Sequence, residues 1–445
     1  MSTVVTRFAP SPTGLLHAGN YRTAVFAYLF AKHTGGSFIL RIEDTDKARS
    51  KVEYEANILE ALAWLDLKAD RQYRQSEHAP RHKELLEKLI ASNLAYISKE
   101  EPKNPGDREE VIRFRNPGGA VSFTDVIRGE ITMDVSDLGD FIIARDLNEP
   151  IFHFAVVVDD EDEGVTHVIR GEDHISNTPR QILIQRALGF ASPIYAHLPL
   201  ILGADRTKLS KRKDAKALTE YRDLGILPEA MLNYLSFLGW NPGDDNAREY
   251  LSIAKLIKDF SLERIHKGSA IFDEVKLRSV NQYWMRQLSV DDFITRGNLS
   301  APDTEKLHKV VPLLKERAQT FAEAREMLSS ELSCLFGEPS LDRAKLTAKE
   351  PPERPGMTKT ALETLSEAVK SLPEGVSAEA VKETVMPLAD AEETKGKGGR
   401  GAVLWPLRYA LSGQERSPDP FTLTSVLGKE EAISRIQKAI AILEG

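Results

Sequence analysis

Residues 3–20, TVVTRFAPSPTGLLHAGN, constrain this chain more than any other stretch. Thr3, Val4, Val5 and Thr6 form a β-branched run that is too short for a helix and suits a buried strand. Pro10, Pro12 and Gly14 then break the strand into a tight loop. Tyr21, Ala24, Val25, Tyr28 and Leu29 follow at the spacing of one helical face, and Gly35-Gly36 offers a C-terminal stop. The pattern predicts strand–loop–helix, with His17 and Gly19 where the carboxyl end of the strand meets the helix N-terminus. In an open parallel sheet, backbone amides and the helix dipole make that junction attractive to anions. Gly19 lets a nucleotide approach the backbone closely, and His17 can donate a hydrogen bond to a phosphate oxygen.

Further along, SFILRI (Ser37 to Ile42) reads as a strand ending in Glu43-Asp44-Thr45-Asp46. In open α/β sheets, substrate-binding groups sit at such carboxyl ends. Lys51 to Leu67 and Arg81 to Leu94 read as helices. From Ser98 to Asp107 the pattern gives way to proline, glycine and charge, which marks a boundary. Val111 to Phe114, Val121 to Phe123, Ile131 to Val135 and Phe141 to Ala144 are short strand-like pieces of a small inserted module. Phe152 to Val158 reads as a β-rich apolar run ending in Asp159-Asp160, and Val165 to Ile169 as a strand before Arg170-Gly171-Glu172-Asp173-His174. Ser176 or Asn177 can cap the next helix, with Pro179 in its first turn. The strand-like run His197 to Leu202 and the break at Gly203 precede a compact basic loop, Lys208-Leu209-Ser210-Lys211-Arg212-Lys213. Pro228 to Leu238 is helical, and from about Ser289 onward the patterns are almost all helical. Glu350 to Met357 and Ala391 to Gly401 read as linkers.

The 445 residues suffice for two to four domains, and 41% hydrophobic with 28% charged residues is an ordinary soluble composition. The start, MSTVVTRFAP, lacks a signal-peptide core, and no run approaches membrane-spanning length, so a cytoplasmic protein without a membrane partner is expected. The single cysteine, Cys334, excludes an internal disulfide and any zinc site built from several cysteines. A net charge of −8 argues against a uniformly basic coat for nucleic acid. Contacts with nucleic acid would have to come from local clusters such as Lys208 to Lys216 or Lys395 to Arg400.

Taken in order, P-x-G-x-x-H-x-G-N and K-L-S-K-R resemble the two signature motifs of class I aminoacyl-tRNA synthetases. RFAPSPTG, RIEDTD, RGEDHISNTPRQ, KLSKRK, NYLSFLGW and WPLRYALSG narrow the resemblance to bacterial glutamyl-tRNA synthetases, over nearly the whole chain. The resemblance implies an α/β fold: a Rossmann-like parallel-sheet catalytic domain with a small α+β insertion, then an all-α anticodon-binding region. Its implied divisions are 1–97 and 149–203 for the catalytic halves, 98–148 for an acceptor-binding insertion, 204–288 for the lysine loop and stem contacts, and 289–445 for the helical domain. The implied activity is ATP-dependent ligation of glutamate to the 3′ end of tRNA through glutamyl-adenylate, with glutamate activated only when tRNA is bound.

By the same resemblance His17, Lys208 and Lys211 are catalytic. Arg7, Ala9, Ser11, Glu43, Phe152 and Arg170 hold glutamate, Glu43 pairing with its ammonium. ATP is held by His17, Gly19, Asn20, Asp173, His174, Leu209 and Lys211, and Arg408 contacts tRNA. Mg²⁺ is expected to arrive on the ATP oxygens, with no dedicated metal cage. Three positions depart from the family pattern. Phe152 stands where a tyrosine is common, Ala18 replaces a larger apolar residue, and the inserted module lacks the cysteines of a zinc site, so no zinc is expected. A monomer is expected. The alternatives are a non-discriminating form that also charges tRNA for glutamine and, from a different class, a catalytically silent tRNA-binding scaffold. A glutaminyl enzyme would carry C-terminal β-barrels, a tRNA-modifying paralogue would lack the helical domain, and a small-molecule nucleotidyltransferase has no use for so long a C-terminal region.

Overall fold

Strand β1 (Val5–Phe8) lies near the middle of a seven-stranded sheet, and the order of that sheet decides where a ligand can sit. The computed structural model describes residues 3–101, 109–209, 216–243, 249–394 and 399–445. They form two compact units, 1–281 and 282–445.

In the first unit β1 leads through α1 (Ala18–His33) to β2 (Ser37–Ile42), and then through α2 (Val52–Trp64) to β3 (Arg71–Arg74). Both connections run parallel and in one direction: β1 pairs with β2, and β2 with β3. The helical face expected in α1 is the one that faces inward, with Tyr21, Ala24, Val25 and Leu29 fully buried and Tyr28 partly so. After α3 (Ala79–Ala91) come β4 (Ala95–Lys99), β5 (Glu110–Phe114), β6 (Ala120–Asp125), β7 (Gly129–Asp134), β8 (Phe141–Asp146) and β9 (Glu149–Pro150). They do not form one sheet. β4, β5, β8 and β9 make an antiparallel four-stranded sheet, whereas the β6–β7 hairpin joins the edge of the main sheet.

The main sheet resumes with β10 (His167–Gly171), α5 (Thr178–Leu188) and β11 (Ile194–Leu198) on the other side of β1, with α4 (Phe152–Asp162) preceding β10. Its order is β3-β2-β1-β10-β11-β6-β7. The direction of winding therefore reverses between β1 and β10. A crevice opens outside the carboxyl ends of the strands at such a reversal.

Besides the β6–β7 hairpin, which joins the main sheet rather than the inserted module, several details differ from the sequence reading. Phe152 to Val158 is the first part of α4, a helix rather than a strand. Residues 154–158 are all buried, so the apolar part of this helix shows no 3.6-residue stripe. The run expected from His197 to Leu202 divides into β11 and a two-residue strand, Ile201–Leu202. Pro199, which has no N–H for a ladder, lies at the break. Asn177 does take the position before α5, with Pro179 in the first turn, but no side chain caps that helix.

Every regular element described in the second unit is helical. Side-chain oxygens of Ser289, Asp303, Thr320 and Asp419 cap four of these helices by accepting backbone N–H groups. Leu362, Leu365, Leu407, Leu423 and Ile436 are fully buried in its core. Arg435, 2% exposed, ties this core together by donating to the carbonyls of Cys334, Leu411 and Gly337 at 2.7, 2.6 and 2.8 Å. The architecture is the one expected. Among the described residues no helix is long and apolar enough to cross a membrane.

Candidate active site

The crevice at the reversal is a cleft of about 610 Å³. Its floor and walls come from the end of β1, the following loop, the start of α1, the end of β2 and the end of β10. Arg7, Ala9, Ser11, His17, Gly19, Asn20, Glu43, Phe152, Arg170, Asp173, His174, Lys208 and Leu209 all line it. Lys211, with the rest of 210–215, lies outside the described residues. Arg408 belongs to the second unit. It donates to the carbonyls of Glu415 at 2.8 Å and Ser417 at 3.5 Å, and its guanidinium lies 4.9 Å from the centre of the Trp405 ring.

The loop after β1 is pinned to the end of β2 and to the start of α2: the N–H of Glu43 donates to Pro10 O at 2.9 Å, and that of Lys51 to Pro12 O at 3.0 Å. His17 then caps α1. Its Nδ1 accepts the Gly19 N–H at 3.0 Å, and its own N–H donates to Asn20 Oδ1 at 3.1 Å. Because Nδ1 accepts, a neutral His17 carries its proton on Nε2 and presents a donor there. A side chain at position 19 would place its Cβ 2.8 Å from the His17 ring, so the glycine serves this cap as well as any ligand. Across the cleft Lys208 Nζ pairs with Asp173 Oδ2 at 3.0 Å. Gly171 makes room for that carboxylate, since a Cβ there would lie 2.4 Å from Asp173 Oδ1. Phe152 rests against His174, with ring centres 5.4 Å apart. Burial, helped by the Arg170 charge, pushes His174 down to about 4, which keeps it a neutral imidazole at physiological pH.

The two arginines of the cleft are held differently. Arg7 Nε donates to Asp160 Oδ1 at 3.1 Å and Nη2 to Oδ2 at 3.5 Å. Asp160 also meets Arg41 at 2.8 Å, and Arg41, with no exposed surface, contacts Glu163 at 2.8 Å and Glu43 at 3.4 Å. Behind them Asp159 binds His82 Nε2 at 2.7 Å and Gln75 Nε2 at 2.7 Å. Burial works against ionised Asp160, but Arg7 and Arg41 hold it below the usual carboxylate range. Glu43 is pushed up to about 7 by burial, against the pull of Arg41 and Arg7.

Arg170, 6% exposed, has no carboxylate partner among the described residues. Its Nε donates to His197 Nε2 at 3.1 Å, and its Nη2 to the Thr178 hydroxyl and to Gln181 Oε1, both at 2.8 Å. All three acceptors are neutral. Burial, with the neighbouring Arg7 charge, lowers Arg170 to about 10, against the more distant pull of Asp160 and Glu43, so it stays a cation at neutral pH without a directly paired carboxylate. No described group of three or more His, Cys, Asp or Glu side chains is arranged to hold a metal ion.

Sequence reasoning passed over the residues behind this cleft: Arg41, Asp160, Asp125, His197, Thr178 and Gln181. The doubled acid after an apolar run, Asp159-Asp160, was the one visible signal, since buried carboxylates need cationic partners.

A parallel sheet reversing beside a His17-capped helix, with a lysine opposite, is the arrangement of a class I aminoacyl-tRNA synthetase catalytic domain. Residues 3–105 and 99–279 match the family described as tRNA synthetases class I (E and Q), catalytic domain, and residues 277–440 match the anticodon binding domain family. The glutamate–tRNA ligase of Heliobacterium modesticaldum is 37% identical, aligned over 99% of this chain and 97% of its own length. That of Aquifex aeolicus is 38% identical over 99% of both. The crystal structure of a glutamate tRNA ligase from Elizabethkingia meningosepticum in complex with its amino acid superposes with a TM-score of 0.85. It is 32% identical and covers 99% of this chain and all of that one. The chain belongs to the glutamate–tRNA ligase family.

Proposed function

We propose that this protein ligates glutamate to tRNA for translation, in two steps within the cleft beside His17. A carboxylate oxygen of glutamate attacks the α-phosphorus of ATP, and the bond from that phosphorus to the bridging oxygen breaks, releasing pyrophosphate. The terminal ribose hydroxyl of tRNA then attacks the glutamyl carbonyl, and AMP leaves. Charge spreads over the phosphorus in the first step, so the site needs donors and cations rather than a protein nucleophile.

His17 supplies the Nε2–H for a phosphate oxygen at the head of α1, where the helix dipole also favours negative charge. Lys208, released from Asp173, and Lys211 meet the departing pyrophosphate. Gly19, Asn20, Asp173, His174 and Leu209 surround the nucleoside. Mg²⁺ carried on the ATP phosphates supplies further charge neutralisation. Ala9 and Ser11 close the amino-acid side, Glu43 takes the ammonium, and Arg7 and Arg170 face the carboxylate that does not react. Phe152 offers that group an apolar wall without a hydroxyl. Arg408 on its helix (Gly401–Ser412) is the proposed tRNA contact in the second unit.

One observation carries this reading: Arg170, a buried cation in the cleft with only neutral acceptors. A buried charge without a counter-charge costs free energy that an anionic ligand recovers. The test is ATP–pyrophosphate exchange, with and without tRNA, alongside charging of tRNA for glutamate and tRNA for glutamine. Exchange that needs glutamate, and glutamylation of tRNA for glutamate, are expected. A protein that binds tRNA but exchanges no pyrophosphate would be the silent scaffold instead.

A further inference from the structure

Arg170 is aimed by side chains that do not themselves reach the cleft. Asp125, the last residue of β6, is 1% exposed, and both its oxygens are filled with donors. Oδ1 accepts the backbone N–H groups of Ile127 at 2.9 Å and Arg128 at 2.8 Å. Oδ2 accepts the backbone N–H of His197 at 2.9 Å and faces His197 Nδ1 at 2.7 Å. A carboxylate so placed requires the proton of His197 to sit on Nδ1. Nε2 is then a bare lone pair, and it faces the Nε–H of Arg170 and the Thr178 hydroxyl, each at 3.1 Å.

Strand pairing builds this line of groups. Arg170 and His197 are partners across β10 and β11, and Tyr195 and Asp125 are partners across β11 and β6. His197 is fully buried, its ring stacked on Tyr195 at 6.0 Å and edged by Phe123 at 6.2 Å, which fixes the plane of the imidazole. Both the tautomer and the orientation of His197 are thereby set before any ligand arrives.

We infer that His197, oriented by Asp125, is a positioning residue for amino-acid binding: it points the Arg170 guanidinium into the cleft through a neutral acceptor and so leaves the charge of the arginine for the substrate carboxylate. The inference rests on the reading of Arg170 given above and extends it to two residues that touch no substrate. A carboxylate in place of His197 would hold Arg170 equally well but would spend its charge. An apolar side chain would leave the Nε–H unpaired in a buried place.

Two substitutions separate orientation from mere packing. In His197→Gln the amide oxygen reaches the Nε2 position and still accepts from Arg170. In His197→Asn the amide keeps a donor for Asp125 but falls short of Arg170. Pyrophosphate exchange by the full-length protein with tRNA, read against glutamate and against ATP, gives the KM for each. His197→Asn should raise the glutamate KM about tenfold, the scale of one hydrogen bond to a charged group, with ATP KM and kcat changed less than about threefold. His197→Gln should stay within about threefold of wild type throughout. An unchanged glutamate KM in His197→Asn, beside a raised one in Arg170→Ala, overturns the inference and leaves the reading of Arg170 standing. An unchanged KM in Arg170→Ala overturns that reading itself. Equal losses toward glutamate and ATP in both His197 variants would mark a structural role and also overturn the inference. Should His197→Asn not fold, Asp125→Asn serves: its amide moves the imidazole proton to Nε2, and an unchanged glutamate KM there again overturns the inference.

Discussion

Arg7 and Arg170 stand on neighbouring strands of one cleft, Arg7 on β1 and Arg170 on β10, yet their surroundings are opposite in kind. Arg7 enters a buried network in which Arg7 and Arg41 face Asp159, Asp160, Glu163 and Glu43. Arg170 meets an imidazole nitrogen, a hydroxyl and an amide oxygen. The first wall carries more carboxylates than guanidiniums, and the second pairs its guanidinium with none. The same residue type thus serves as part of a rigid ionic frame on one side and as a receiver of substrate charge on the other. The partners decide which.

The largest expected effect breaks the frame. Arg7→Ala leaves Asp160 half-paired in the interior and should lower the unfolding free energy by about 3–5 kcal/mol, besides raising the glutamate KM. Arg170→Ala removes a buried cation that has no directly paired carboxylate, so chemical denaturation should show a much smaller loss. Equal destabilisation by the two substitutions would erase the contrast. His17→Ala comes next. It should slow adenylate formation by about 2–4 kcal/mol of transition-state stabilisation with little change in glutamate KM, which pre-steady-state exchange reads directly. Arg170→Ala should raise the glutamate KM by about 1.5–3 kcal/mol, roughly ten- to a hundredfold, leaving the ATP KM near wild type.

A smaller effect sharpens the comparison through pH. Glu43 in the free cleft titrates at about 7 because burial raises it. The substrate ammonium needs the ionised form, so below about pH 7 binding must first remove a proton. The glutamate KM should therefore rise as pH falls, by up to about tenfold per unit, and be flat above pH 7. Glu163 is also raised to about 7, but it does not line the cleft. Glu43→Gln should accordingly abolish the slope, and a slope that survives in that variant would assign it elsewhere.

How much of this could be read from the residues depends on distance along the chain. The β1–loop–α1 unit was legible because its signals are local: a β-branched run, two prolines and a helical stripe within thirty residues of the start. Arg7, His17, Glu43 and Arg170 followed from their place at strand ends and from the family motifs that contain them. α4 was misread because FAVVVDD, residues 154–160, is buried on every side, so neither its valines nor its spacing told helix from strand. The partners of the arginines were illegible for another reason. Asp160 lies 153 residues from Arg7, and Asp125 lies 72 from His197. Only strand order brings them together, and nothing local announces a buried histidine as an acceptor rather than a filler. The paired and unpaired arginines are properties of the fold.

The most direct test of that difference is to supply the missing counter-charge. Gln181 Oε1 accepts from Arg170 Nη2 at 2.8 Å, and its Nε2 is buried without a partner among the described residues. Gln181→Glu is nearly isosteric, keeps the hydrogen bond and converts the neutral acceptor into a carboxylate. The measurement is kcat/KM for glutamate and for glutamine in tRNA-dependent pyrophosphate exchange. The account predicts that Gln181→Glu lowers the value for glutamate about tenfold or more and changes that for glutamine much less, so that the preference for the charged side chain shrinks. An unchanged ratio in a folded Gln181→Glu protein would contradict it, because Arg170 would then bind its ligand equally well with its charge already answered.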